Sequence, residues 1–229
     1  MTPNRPTTTR PRTHGGLRPG DVVPPREVTT LHGATVRVPT ASGLTHLQFR
    51  RFAACPICNV HLRTVARRLD ELTAAGVAEV AVFYSRAETM QPHQGRLPFP
   101  VVPDPDRVLY DEFGVGMSIR ANLHPRAWTA PLRPATWSVV TAGLRAGATP
   151  ALQGDRITGL PADFLLAPDG TVLGAHYGRH ASDQWSVDDV LGLAAIAPVA
   201  SEGDEPSTGG APRPAEWVRA RAARRSRRP

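Results

Sequence analysis

Residues 45–76 read THLQFRRFAACPICNVHLRTVARRLDELTAAG, and their periodicity changes once. Thr45 to Arg51 reads as a β-strand. From Pro56 to Ala75, Ile57, Val60, Leu62, Val65, Leu69 and Leu72 recur at near-helical spacing, which predicts one long helix. Gly76 ends it, since glycine accepts the left-handed backbone that closes many helices. The motif Cys55-Pro56-Ile57-Cys58 therefore falls at a strand-to-helix junction. Pro56 takes the first helical position, where a missing N–H costs nothing.

Working outward, Val77 to Tyr84 (VAEVAVFY) is apolar and β-branched, as a central strand buried on both faces requires. Glu88 to Gln94 predicts a short helix, Phe99 to Pro103 a third strand and Asp106 to Phe113 another short helix. Order resumes at Asp163. Phe164 to Ala167 and Val172 to Tyr177 flank Pro168-Asp169-Gly170, a turn former between apolar runs, and so predict an antiparallel hairpin. Ser186 is a helix N-cap, with Asp188 and Asp189 in the first turn of a helix reaching Ile196. Alternating strands and helices, then an antiparallel pair and a last helix, predict an α/β protein. It has a central mixed sheet flanked by helices, in the order of the thioredoxin-like fold. A helical or irregular insertion, about 114–158, precedes the final hairpin.

The 229 residues carry a formal charge of +7, and its distribution decides what it means. Residues 1–18 hold four Arg and no acid, 198–229 hold seven Arg against four acids, and the stretch between balances sixteen against sixteen. A neutral centre lacks the basic stripe of a nucleic-acid reader, so no specific nucleic-acid partner is expected. Residues 1–16 and 198–229, rich in Pro, Thr, Ser, Gly and Arg, predict disordered tails around a domain at 17–197. No apolar run reaches the roughly 18 residues of a membrane span, and the N-terminal stretch lacks the apolar core of a signal peptide. This predicts a cytoplasmic protein without membrane partners, in a compartment where thiols stay reduced and paired cysteines are more plausibly reactive than structural.

A cysteine attacks as its thiolate, and a free thiol ionises only near about pH 8.5, so a reactive one needs local positive potential. Cys55 has the helix N-terminus and, just upstream, Arg50 and Arg51. Cys58 lies one turn on, within reach of a disulfide, as a resolving thiol must. Two other readings stay open: an inert buried pair, and a metal site built on Cys55-x-x-Cys58-x-x-His61. Pro161 leads into a strand and is a candidate cis-proline that sets backbone beside the thiol for an extended substrate. Tyr177, Gly178, Arg179, His180 and Asp183 form a polar cluster after the hairpin, followed by Trp185, with His180 the candidate for a role near the site.

The segments HLQFRRFAACPICNVHLR (46–63), AVFYSRAE (81–88), LPFPVVPDPDRVLYDEFGV (97–115) and GLPADFLLAPDGTVLGAHYGRHASDQWSVDDVL (159–191) together resemble the peroxiredoxin-like branch of the AhpC/TSA family. The resemblance spans about Leu17 to Ala197. It implies a thioredoxin fold and an antioxidant thiol oxidoreductase that needs neither cofactor nor metal. In it Cys55 is oxidised by a peroxide or disulfide, Cys58 resolves it as a disulfide, and a cellular dithiol, thioredoxin-like or of low molecular weight, restores the pair. Pro56, Phe52 and Pro161 would line the substrate, Arg50 and Arg51 would supply charge, and a homodimer is a candidate assembly. The sequence departs from the family pattern at Gln48 and Phe52, which stand where that pattern has Pro and Thr or Ser. The strand at 161–166 also lacks the family's Arg. A non-catalytic redox-sensing module is the competing function.

Overall fold

The computed structural model describes residues 16–116 and 159–197. A hairpin, β1 (Arg26–Thr29) and β2 (Thr35–Val38), precedes β3 (Leu44–Arg50), α1 (Pro56–Arg67), α2 (Leu69–Ala74) and β4 (Val77–Phe83). Then come α3 (Ala87–Gln94), β5 (Val101–Pro103), α4 (Val108–Glu112), β6 (Ala162–Leu166), β7 (Val172–Tyr177) and α5 (Val187–Ile196). Five strands form one sheet in the order β5-β4-β3-β6-β7. The β3–β4 and β4–β5 pairs are parallel, and β3–β6 and β6–β7 antiparallel, so the predicted mixed sheet is present with β3 at its centre.

Side chains alternate across a strand, and here each face buries its own cluster. Leu47 and Phe49 of β3, Val80 and Val82 of β4 and Phe164 of β6 join Val36, Val38, Tyr110, Phe113 and both cysteines on one side. Ala81 and Phe83 of β4 and Leu165 of β6 meet Leu62 and Val65 of α1, Leu72 of α2 and Val187 and Val190 of α5 on the other. Phe164 is fully buried, with ring centroids of Phe49 at 5.7 Å, Phe113 at 5.0 Å and Tyr177 at 5.4 Å, all three edge-on.

The structure departs from the sequence reading in identifiable places. The long helix breaks at Arg68, whose φ of −109° and ψ of 18° leave the helical region. Its guanidinium bonds Glu71 and reaches Asp188 of α5 at 2.7 Å, so the break turns an arginine into a tie between helices. The β1–β2 hairpin was not predicted: its strands have four residues each, and only Val28, Val36 and Val38 mark its apolar side. Leu160–Pro161, the candidate cis bond, is not cis; Val38–Pro39 is the cis peptide among the described residues. Pro161 instead stands immediately before β6, its carbonyl accepting the Gly178 N–H at 2.9 Å. Gly76 has φ +72° and closes α2 as expected, and Ser186 with Asp189 forms a reciprocal capping box on α5. Residues 117–158 of the predicted insertion and both predicted tails, Gly16 apart, lie outside the described residues. Among those described, no helix is long and apolar enough to cross a membrane.

Replacing Phe164 by Ala leaves a void beneath three aromatic rings that the sheet cannot collapse to fill. Urea unfolding should show a loss of about 3–5 kcal/mol, with an unchanged dependence on denaturant.

Candidate active site

Cys55 is the N-cap of α1, held in extended backbone at φ −62° and ψ 112°. Its N–H donates to Phe52 O at 3.0 Å, closing the turn out of β3. Its Sγ accepts the Cys58 N–H at 3.4 Å and lies 2.8 Å from Cys58 Sγ, so the helix end that should stabilise a thiolate is aimed at one. Both cysteines are free and buried, at 1% and 0% exposure. The turn is fastened from outside. Asn59 Nδ2 donates to Ala53 O and Cys55 O, Gln94 Nε2 to Ala53 O and Asn59 Oδ1, and Ala53 N–H to Ser85 Oγ.

The two thiols are driven apart electrostatically. Burial, the largest influence, pushes Cys55 up. The hydrogen bond from Cys58, the Arg51 guanidinium and the N–H groups of Cys58 and Ile57 outweigh it and bring Cys55 down to about 7. Burial pushes Cys58 up too, and there the hydrogen bond to Cys55 and its charge add to the effect, so Cys58 stays protonated well above the ordinary range despite Arg51. One thiolate and one thiol in contact are the pairing a nucleophile and its proton-bearing partner require.

Arg50 and Arg51 were both expected to serve Cys55, and the structure separates them, because neighbours on a strand point to opposite faces. Arg51 is the cation of the thiols. It is buried, its Nε donates to Gly159 O at 2.9 Å, and its guanidinium lies 5.4 Å from the centre of the Phe52 ring. Phe52 is itself buried, so that ring supports Arg51 where the family pattern has a hydroxyl. Arg50 points the other way, into a buried ion pair with Asp163 at 2.6 Å, both side chains 0% exposed.

Arg50 belongs to a polar network that the sequence reading missed. Its Nε and Nη2 donate to Gln48 Oε1 at 2.9 and 2.6 Å, and Gln48 Nε2 donates to Glu79 Oε2 at 2.6 Å. His46 spans Glu79, at 2.8 Å through Nδ1, and Asp163, at 3.2 Å through Nε2. Burial alone would lower His46, but the Glu79 charge and the hydrogen bonds to Asp163 and Glu79 prevail and raise it to about 9, so both nitrogens donate at neutral pH. Asp163 is held well below the ordinary carboxylate range: burial opposes this, and Arg50 and His46 overcome it. The signal for this network was present: His46, Gln48 and Arg50 occupy alternate positions of a strand buried on both faces.

His61, the third residue of the candidate metal motif, turns away from the cysteines. Its Nε2 lies 3.1 Å from Arg50 Nη2, and burial and the Arg50 charge lower it to about 3. Its Nε2 is engaged with Arg50, and among the described residues no group of three or more His, Cys, Asp or Glu is placed to hold a metal ion, which disfavours the metal reading. His180 bonds neighbours in its own loop: Nδ1 lies 3.2 Å from Ser182 Oγ and its carbonyl accepts the Asp183 N–H. Pro56 sits where it was expected, at the start of α1.

The histidines give stability opposite slopes with pH. His46 ionises at about 9 in the fold against about 6.5 unfolded, so its contribution is complete below about 6.5 and is lost as pH rises through 9. His61 ionises near 3, so below about 6.5 the unfolded chain takes up a proton that the fold refuses, and stability falls toward acid. In a Cys55→Ser background, which removes the opposing titration of that thiol, stability should peak near pH 6.5. His61→Gln should flatten the acid limb and His46→Gln the alkaline one, as read by urea unfolding across pH.

Comparison with known proteins agrees with this architecture. Residues 64–180 match the AhpC/TSA antioxidant enzyme family, a span that begins beyond Cys58 and takes in β4 to β7. The peroxidoxin BcpB of Mycobacterium tuberculosis superposes with a TM-score of 0.57 at 17% identity, over 79% of this chain and 99% of its own. Peroxiredoxin 6 of Arenicola marina, as a cysteine-to-serine mutant, gives 0.55 at 15% over 79% and 73%, and AhpC of Mycobacterium tuberculosis 0.54 at 15% over 79% and 93%. No curated protein matches the sequence. The sheet order is that of the thioredoxin-like fold of peroxiredoxins, and with half of its length matched the chain belongs to the AhpC/TSA antioxidant enzyme family.

Proposed function

We propose that the protein is a thiol peroxidase in which Cys55 is the attacking thiolate and Cys58 the resolving thiol. The observation that carries this reading is the 2.8 Å contact between two sulfurs whose ionisation is pushed in opposite directions. The Cys55 thiolate attacks the distal oxygen of a peroxide ROOH. The O–O bond breaks, the sulfur becomes a sulfenic acid, and the alkoxide leaves and takes a proton as ROH. Cys58 then displaces the hydroxyl of Cys55–SOH, and its proton departs with that hydroxyl as water, leaving the Cys55–Cys58 disulfide. A dithiol reductant of the thioredoxin type supplies two electrons and two protons and restores both thiols.

Burial favours a small oxidant over a protein disulfide. Cys55 is 1% exposed, and a peroxide asks for far less room at its sulfur than a protein disulfide, which must bring its own backbone into line with the attacking atom. Phe52 offers no hydroxyl to a bound peroxide; the Arg51 guanidinium and the Ile57 and Cys58 N–H groups, which face the Cys55 sulfur, are the polar groups beside the reacting atoms.

Cys55→Ser should reduce peroxide turnover, with a dithiol as donor, to the uncatalysed rate. Cys58→Ser should consume about one equivalent of peroxide per chain and accumulate a Cys55 sulfenic acid, which dimedone labels and mass spectrometry locates. Full turnover by the Cys55 variant would rule out the assignment. The wild-type rate should rise with pH through about 7, following the Cys55 thiolate.

A further inference from the structure

Gly159 has no side chain to bring to any chemistry, yet its peptide meets two side chains of the thiol environment. Its carbonyl accepts the Arg51 Nε–H at 2.9 Å, and its N–H donates toward the Tyr84 phenol oxygen. Tyr84 follows β4 directly, is 8% exposed, packs in the same cluster as Cys55 and Cys58, and feels the charges of Arg51 and both thiols. The next N–H along, that of Leu160, donates to Gly116 O at 3.4 Å, so the 159–160 backbone is fixed on two sides.

The residue type is forced by space. A Cβ on Gly159 would lie 2.3 Å from Tyr84 Cε1 and 2.9 Å from its Cζ and Oη, closer than real side chains come. Any larger residue must push the buried ring away or lift the 159 peptide off Arg51. An arginine side chain has four soft torsions and gives up rotamer freedom when it is fixed. An acceptor at Nε fixes the plane of the guanidinium, and with it the reach of Arg51 toward Cys55.

We propose that Gly159 is a positioning residue for the Cys55 thiolate: its carbonyl holds Arg51 in place, and its missing side chain lets that carbonyl sit against Tyr84. The proposal rests on the assignment of Cys55 as nucleophile. Gly159 touches neither substrate nor sulfur, and it acts through Arg51.

The test is the ultraviolet thiolate titration of the reduced full-length protein, together with hydrogen peroxide consumption under excess dithiothreitol from about pH 6 to about pH 9. Gly159→Ala should move the Cys55 midpoint up by about one unit. Its peroxide rate should fall about tenfold near pH 6 and come within about twofold of wild type near pH 9, where the thiolate forms regardless. Arg51→Lys keeps the charge and loses the Nε–H. It should shift the midpoint the same way, and the double variant should be no worse than Arg51→Lys alone. An unchanged midpoint in Gly159→Ala, a rate loss equal at every pH, or additive effects in the double variant would each overturn the proposal. If Gly159→Ala does not fold, Arg51→Lys decides by itself, an unshifted midpoint being fatal. A Cys55→Ser protein that still turns over peroxide sinks the nucleophile assignment instead, whereas an inactive Cys55→Ser beside an unshifted Gly159→Ala sinks only the role of Gly159.

Discussion

Arg50 and Asp163 form an ion pair at 2.6 Å with neither side chain exposed, and the centre of the sheet is arranged to make that pair tolerable. Two bare charges in a protein interior cost several kcal/mol each, and their attraction compensates only when the remaining donors and acceptors are also satisfied. Here they are. Gln48 takes two Arg50 donors, Asp163 Oδ2 accepts the Trp185 N–H at 3.1 Å, and His46 links Asp163 to Glu79. The network joins β3, β4 and β6 side by side and reaches α1 through His61. It thereby fixes the helix whose first turn carries the thiols relative to the strand that precedes them.

That arrangement explains why adjacent arginines have separate tasks. The alternation that sends Arg50 into the network sends Arg51 to the thiols. Cys55 then receives a helix N-terminus, a guanidinium and a donor from Cys58, while Cys58 has the ionised neighbour against it. The asymmetry comes from position on the helix: the cap residue collects the free N–H groups, and a residue one turn in does not.

Much of this was legible in the sequence. The hydrophobic period located β3, β4, β6, β7 and α5, because those elements are long and well patterned. The Pro56 start, the Gly76 stop and the Ser186 cap are local chemistry. Cys55 and Cys58 stood out as a candidate pair from their spacing, their place at a strand-to-helix junction and the arginines just upstream. What escaped depends on contacts between residues far apart in the chain. The break at Arg68 is tied to Asp188 across 120 positions, and the role of Asp163 needs Arg50 across 113. The thiol cation needs Gly159, 108 positions on, which no local pattern marks. Pro161 was a candidate cis-proline by analogy with the fold, with a strand-start proline as the other reading; it is the latter, its carbonyl bonded to Gly178.

The central claim is that Cys55 alone is ionised near neutrality. Pulsed alkylation of the reduced protein with iodoacetamide across pH, each cysteine quantified by peptide mass spectrometry, tests it most directly. Cys55 should be modified with a midpoint near pH 7, and Cys58 should stay unmodified until well above its ordinary range. Equal modification of the two, or Cys58 reacting first, would contradict the account.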